Sequence, residues 1–200
     1  MKGVFVTGTD TDVGKTMVSA WLVKSWQADY WKPVQSGCLT DSDSDTVRKL
    51  NPTAVFHPPA YLLKEPLSPH AAAERDEVRI SLDAIHLPQT TNTLVVEGAG
   101  GALVPLNERE MMTDLMAALG LPVVIVARSG LGTINHTLLT IEALRRRDIA
   151  VAGVILNGPP NAANRAAIEQ YGQVRVVGEL PRLPSPEALA DFPPIEDFLS

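Results

Sequence analysis

Nine residues constrain this chain more than any others: Gly8-Thr9-Asp10-Thr11-Asp12-Val13-Gly14-Lys15-Thr16. They follow an apolar run at residues 3–6 and precede a helical pattern at residues 15–27. A loop that leaves a buried strand, closes with Gly-Lys-Thr and opens a helix is built like a phosphate-binding P-loop. Glycines let backbone N–H groups converge on phosphate oxygens, and the helix N-terminus adds a favourable dipole. In such a loop Lys15 reaches the β- and γ-phosphates, and the Thr16 hydroxyl ligates Mg²⁺. Five residues rather than four separate Gly8 from Gly14, so Thr9 stands where the common pattern has its first glycine. The rival is a glycine-rich strand–helix turn with an incidental lysine. The strand before the loop and the helix after it favour a nucleoside triphosphate.

The rest of the chain repeats the strand–helix rhythm. Residues 93–96, 122–126, 151–156 and 174–177 are short apolar runs, while residues 134–147 and 162–171 have helical spacing. Strands that are apolar throughout suit a parallel sheet covered on both faces. The expected fold is therefore α/β, a doubly wound, mostly parallel sheet with helices on both faces, of P-loop NTPase type. Residues 1–200 read as a single domain. Residues 35–80 break the rhythm with prolines at 52, 58, 59, 66 and 69. A long irregular insertion of this kind is usually functional. Near the end, Ser185-Pro186-Glu187 predicts a short helix with Ser185 as N-cap.

Composition excludes more than it assigns. Lys and Arg number 17 against 23 Asp and Glu, a formal charge of −6, which lacks the basic field that nucleic acid or an anionic membrane needs. Cys38 is the only cysteine, so neither an intrachain disulfide nor an all-cysteine metal site is expected. No apolar run reaches the length of a membrane span, and the first residues do not resemble a signal peptide. A cytoplasmic location is expected.

Further motifs follow in order: Lys32-Pro33-Val34-Gln35-Ser36-Gly37, Ser68-Pro69-His70, Val96-Glu97-Gly98-Ala99-Gly100-Gly101, Gly132-Thr133-Ile134-Asn135-His136 and Gly178-Glu179-Leu180-Pro181. With the glycine loop, the series resembles the dethiobiotin synthetase family over nearly the whole chain. Related cobyrinic-acid amidating ligases share the loop but carry a glutamine-hydrolysing domain with its own cysteine, for which 200 residues leave no room. Partition-type and switch ATPases carry a second lysine early in the loop, where this chain has Asp10.

The resemblance implies that CO₂ joins 7,8-diaminononanoate at the expense of ATP, in biotin synthesis. One amine captures CO₂ as a carbamate, ATP phosphorylates it, and the second amine closes the ureido ring. It implies Lys32 and Lys15 as catalytic lysines, with Thr11 beside the carbamate. ATP would contact Asp12, Val13, Gly14, Lys15, Thr16, Met17, Asp45, Glu97, Gly98, Ala99, Gly100, Asn157, Gly158, Pro181, Leu183 and Glu187. The diamine would contact Thr11, Lys32, Ser36 and Gly100, with His70 as a wall. Mg²⁺ would be held by Thr16, Glu97 and one of Asp41, Asp43 and Asp45. Asp45 fits the family's acidic turn best, against a rival role as a helix cap. Asn157-Gly158 stands where the family usually has Asn-Asp. Asn135 and His136 would open a helix packed at a homodimer's two-fold, against a rival role as N-cap and surface residues. Trp21 and Trp26 are read as packing residues, and none of the three tryptophans is assigned to a ligand.

Overall fold

A computed structural model describes residues 2–39 and 42–199. The chain runs β1 (Gly3–Gly8), α1 (Lys15–Trp26), β2 (Asp29–Trp31), β3 (Val34–Gln35), α2 (Asp43–Leu50), β4 (Phe56–His57), β5 (Tyr61–Leu62) and α3 (Pro69–Arg75). It continues through β6 (Leu94–Gly101), α4 (Met112–Leu119), β7 (Val123–Arg128), α5 (Thr133–Arg145), β8 (Val151–Asn157), α6 (Ala162–Gly172) and β9 (Val176–Leu180). A seven-stranded sheet has the order β4-β2-β6-β1-β7-β8-β9, with every adjacent pair parallel. Strands β3 and β5 form a small parallel ladder beside it.

The uniformly apolar strands serve two cores because alternate side chains leave opposite faces. Val4, Val6, Val95, Val124, Val126 and Ile155 meet α1, α2 and the C-terminal segment. Phe5, Leu94, Val96, Val123, Ile125 and Leu156 meet α3, α4, α5 and α6. The expected doubly wound fold is the one observed. Trp21 packs edge-on against Phe192 and donates its indole N–H to the Pro193 carbonyl at 2.8 Å. Trp31 donates to the Pro58 carbonyl at 3.0 Å, and Trp26 packs edge-on against Phe198.

Several local expectations shift. The last strand begins at Val176 and runs through Gly178 and Glu179 to Leu180, where the apolar run alone marked residues 174–177. Residues Pro186–Ala190 form a 3₁₀ helix, and Ser185 stands at its N-cap without a side-chain cap bond. Gly132 occupies the N-cap of α5, so Asn135 and His136 lie inside the first turn rather than capping it. Helix α4, which the sequence reading does not mark, starts at Met112 behind a short turn.

One polar cluster is buried at the start of β2. Asp29, 3% exposed, accepts from Thr90 Oγ1 at 2.7 Å and Asn92 Nδ2 at 2.8 Å, and lies 2.9 Å from His57 Nε2. Burial opposes its ionisation, but hydrogen bonds from Asn92, Thr90 and His57 outweigh burial and hold the carboxyl below its usual range. A folded pKa below the unfolded one stabilises the fold above about pH 4, and this contribution is lost as pH falls through the folded value. Asp29→Asn should therefore cost about 1–3 kcal/mol near neutrality and flatten the acid limb of the stability curve. Thermal melts of both proteins from neutral to acid pH check this; parallel acid limbs would contradict it.

Candidate active site

The glycine loop hangs on the carboxyl end of β1, in the middle of the sheet. Gly14 is the N-cap of α1 with φ of 95°, a left-handed conformation that glycine adopts without strain. A Cβ there would stand 2.0 Å from Asn157 Nδ2, so the position also has no room for a side chain. Asn157, at the end of β8, donates Nδ2 to the Val13 carbonyl at 2.9 Å and pins the loop from behind. Arg128, at the end of β7, donates Nη2 to the Thr11 carbonyl at 3.2 Å. Lys15 folds back to donate to the Asp10 carbonyl at 3.1 Å. The loop's backbone is thus held from two neighbouring strands while its lysine lies over it.

Strand order assembles the charged centre. Strand β6 lies between β2 and β1, with Val6 opposite Glu97 and Trp31 opposite Val96. Lys32, one residue past β2, therefore reaches the same level as Glu97. Its Nζ donates to Glu97 Oε1 at 3.0 Å and to the Gly98 carbonyl at 3.3 Å, and pairs with Asp43 Oδ2 at 2.9 Å. Thr16 Oγ1 lies 2.7 Å from Asp43 Oδ1 and 3.0 Å from Glu97 Oε1. Tyr30 donates its hydroxyl to Glu97 Oε2 at 3.1 Å. Glu97 is fully buried and Lys32 is 3% exposed. Such charges persist in an interior only when paired and hydrogen-bonded.

These contacts set the protonation behaviour. Burial pushes Lys32 down, but Glu97 and Asp43 more than offset it and hold the ammonium above its ordinary value. Lys15 is pulled below its ordinary value, chiefly by burial and with Lys32 adding to it against Glu97. Burial raises Asp43, yet Lys32 and the Thr16 hydroxyl outweigh it and keep the carboxyl low. Tyr30 is pushed well up by burial and by Glu97, which keeps it a donor.

The cluster floors a cavity of about 530 Å³. Of the residues named from the sequence, Thr11, Asp12, Gly14, Lys15, Thr16, Lys32, Ser36, Glu97, Ala99 and Gly100 line it. Gly98 contributes its carbonyl to Lys32. Val13 is buried beneath the loop, and Met17 packs against the α1-side core. Asn157 and Gly158 lie behind the loop; a side chain at Gly158 would meet Ser129 Oγ at 2.6 Å, which explains glycine there. Pro181, Leu183 and Glu187 follow β9 and do not line the cavity; Leu183 packs on the core and Glu187 is exposed. Ser68 and Pro69 form part of the wall, whereas His70 lines a neighbouring cleft.

Asp45, the acid that the sequence favours as third ligand, bonds to Ser42 and Arg48 rather than to Thr16. Ser42 is the N-cap of α2, and Asp45 at its third position completes a capping box with it and pairs with Arg48. Asp43, at the first helical position, points to Thr16 and Lys32 instead. Asp41 lies outside the described residues. Two further participants escaped the sequence reading, Tyr30 and the wall residue Gln35. Tyr30 had a usable signal: it stands two residues before Lys32, on the same face of an extended segment.

Among the described residues no three His, Cys, Asp or Glu side chains gather as a metal cluster. The donors are instead two carboxylates and one hydroxyl, all oxygen, beside a phosphate loop. That set fits Mg²⁺, which takes one or two carboxylates and fills its shell with water and phosphate.

A central P-loop on a parallel sheet, with a strand-end acid facing the loop threonine, defines a P-loop nucleotide-binding protein. A family model described as "AAA domain" matches residues 2–188. The chain is 58% identical to the ATP-dependent dethiobiotin synthetase BioD of Paramagnetospirillum magneticum, over 97% of this chain and 96% of that one. It is 52% identical to the biotin biosynthesis bifunctional protein BioCD of Bordetella avium, over all of this chain and 45% of that longer protein. A ParA family ATPase from Chlorobium tepidum shares the fold, with a TM-score of 0.57 at 13% identity over 91% of this chain and 84% of that one. The chain belongs to the dethiobiotin synthetase family.

Proposed function

We propose that this chain is an ATP-dependent ligase that carboxylates 7,8-diaminononanoate with CO₂ and closes the ureido ring, releasing ADP and phosphate. The carrying observation is the Lys32–Glu97–Asp43–Thr16 cluster, set in the same cavity as Lys15 and the phosphate loop. A carbamate and a transferred phosphoryl group are both anions, and two buried lysines with loop amides are suited to stabilise them. Membership of the family supports the same reading.

The roles follow from position. Backbone amides from Gly14 onward and Lys15 hold the triphosphate. Lys32, kept charged by its two acids, holds the carbamate as it accepts the γ-phosphoryl group. Thr11 and Ser36 bind the diamine side, and Gly100, with φ of 66°, lets backbone approach it closely. No enzyme nucleophile is needed: the second amine attacks the carbamic–phosphoric anhydride, phosphate leaves, and the C–N bond forms. Thr16, Asp43 and Glu97 would hold Mg²⁺, which neutralises phosphate charge when bound.

The reading extends to a homodimer. A cavity of about 380 Å³ beside the loop is lined by Thr9, Asp10, Leu103, His136 and Leu139, of which Leu103 and Leu139 are exposed. Apolar side chains clustered next to a site suit a partner subunit. Among the described residues no helix is long and apolar enough to cross a membrane. The test of function is direct: incubate the chain with MgATP, bicarbonate and the diamine, and look for dethiobiotin by mass. Folded, ATP-binding protein that makes none overturns the reading.

A further inference from the structure

The wall facing the charged cluster contains a group to which the reaction as described assigns no role. Gln35 lies on β3, whose short ladder with β5 fixes its backbone; its carbonyl accepts from Leu63 N at 2.8 Å. The residue is 4% exposed and lines the main cavity. Its Nε2 donates to the Ser36 carbonyl at 2.7 Å. A carbonyl only accepts, so that bond fixes which end of the amide is nitrogen. The opposite end, Oε1, is buried and has no partner among the described residues. The neighbouring Ser36 Oγ is in the same condition. Buried polar atoms are almost always paired in folded proteins. Of the six orphaned side-chain atoms among the described residues, only those of Gln35 and Ser36 belong to residues that line the main cavity, and there a ligand can complete the bonding.

The unmet requirement at Gln35 is for a donor, and this decides among the reactants. CO₂ carries no N–H or O–H, and the part of ATP that the loop of this cavity binds, its phosphates, presents acceptors. The diamine is the reactant rich in N–H. The two carboxylates of the cavity floor are already engaged, Glu97 with Lys32, Thr16 and Tyr30, and Asp43 with Lys32 and Thr16, while Asp12 lies on the exposed loop at the rim. We propose that Gln35 is a substrate-reading residue: its side-chain carbonyl accepts a hydrogen bond from an amine N–H of the diamine. This rests on the functional reading above and deepens it. A neutral acceptor suits a nucleophilic amine. It holds an N–H and leaves the lone pair free, whereas a carboxylate would favour the unreactive ammonium form.

The experiment measures diamine binding by calorimetry and steady-state kinetics on the full chain. Gln35→Met keeps the length and packing of the side chain and removes the acceptor. Gln35→Glu restores an acceptor with a charge and serves as a second, polar variant should the first fold poorly. The expected result for Gln35→Met is a rise of about tenfold or more in diamine Kd and KM, with the KM for ATP within about twofold of the parent. Gln35→Glu should bind the diamine better than Gln35→Met, and the acid limb of its kcat profile should lie at higher pH than the parent's because the carboxylate favours the ammonium. Unchanged diamine affinity in Gln35→Met, or equal losses toward diamine and ATP, overturns the proposal and leaves the functional reading standing. If the parent chain itself does not bind the diamine, the functional reading fails and this proposal with it.

Discussion

Replacing Lys32 with methionine is expected to lower turnover about 10³-fold while MgATP still binds. The ammonium is the cation that the Glu97 and Asp43 carboxylates hold in the cavity floor, at 3.0 and 2.9 Å. Methionine fills most of the same space, so the loss measures charge rather than packing. Stability should fall as well, by about 3–5 kcal/mol, because fully buried Glu97 then lacks its cation. Adding Glu97→Gln removes that unpaired charge and should recover much of the stability and none of the turnover. Thermal melts and single-turnover kinetics of the single and double variants separate the two effects. Near-normal turnover in Lys32→Met would refute the role given to this lysine.

A second contrast tests the metal site through two acids two positions apart. Asp43→Asn is expected to weaken Mg²⁺ dependence by at least about 10–100-fold and to lower kcat with it. Asp45→Asn should leave kcat near the parent value and cost under about 1 kcal/mol, since its box and ion pair face solvent. Exposure does not separate the two, at 39% for Asp43 and 45% for Asp45; their partners do. Titrating Mg²⁺ at saturating ATP and diamine reads the difference. Equal effects from both substitutions, or a larger one from Asp45→Asn, would return the site to the acid first read from the sequence.

The same pair shows where local pattern stops being informative. Three aspartates alternate with serines at residues 41–45, and each is chemically able to hold a cation. Helical positions two apart do not face each other, so once α2 is anchored only one of Asp43 and Asp45 can meet Thr16. The anchor is Ser42 at the N-cap, and nothing short of the packed helix specifies its rotation. Glu97 was legible because it ends an apolar run just before four residues of which three are glycine. Lys32 was legible because Pro33 and the Val-Gln-Ser-Gly that follows match the family the chain resembles; without that match it reads as a surface lysine. Tyr30 and Gln35 lie inside the same short stretch, yet their importance depends on what stands across the sheet or across the cavity.

Lys32 is marked by the family resemblance, whereas the strand–loop–helix of the P-loop, with its Lys15, and the parallel sheet follow from local sequence. Each of those depends on residues close together in the chain, where backbone geometry and periodicity act directly. Tertiary structure alone decided which acid meets Thr16, which strand pins the loop and which wall group lacks a partner. Asn157 reaches Val13 across 144 residues, and Glu97 joins Lys32 and Thr16 because β6 inserts between β2 and β1. Strand order places those groups within about 3 Å of one another, the range of a hydrogen bond. No spacing along the chain encodes that order, so the chemistry of the site became specific only when the sheet was assembled.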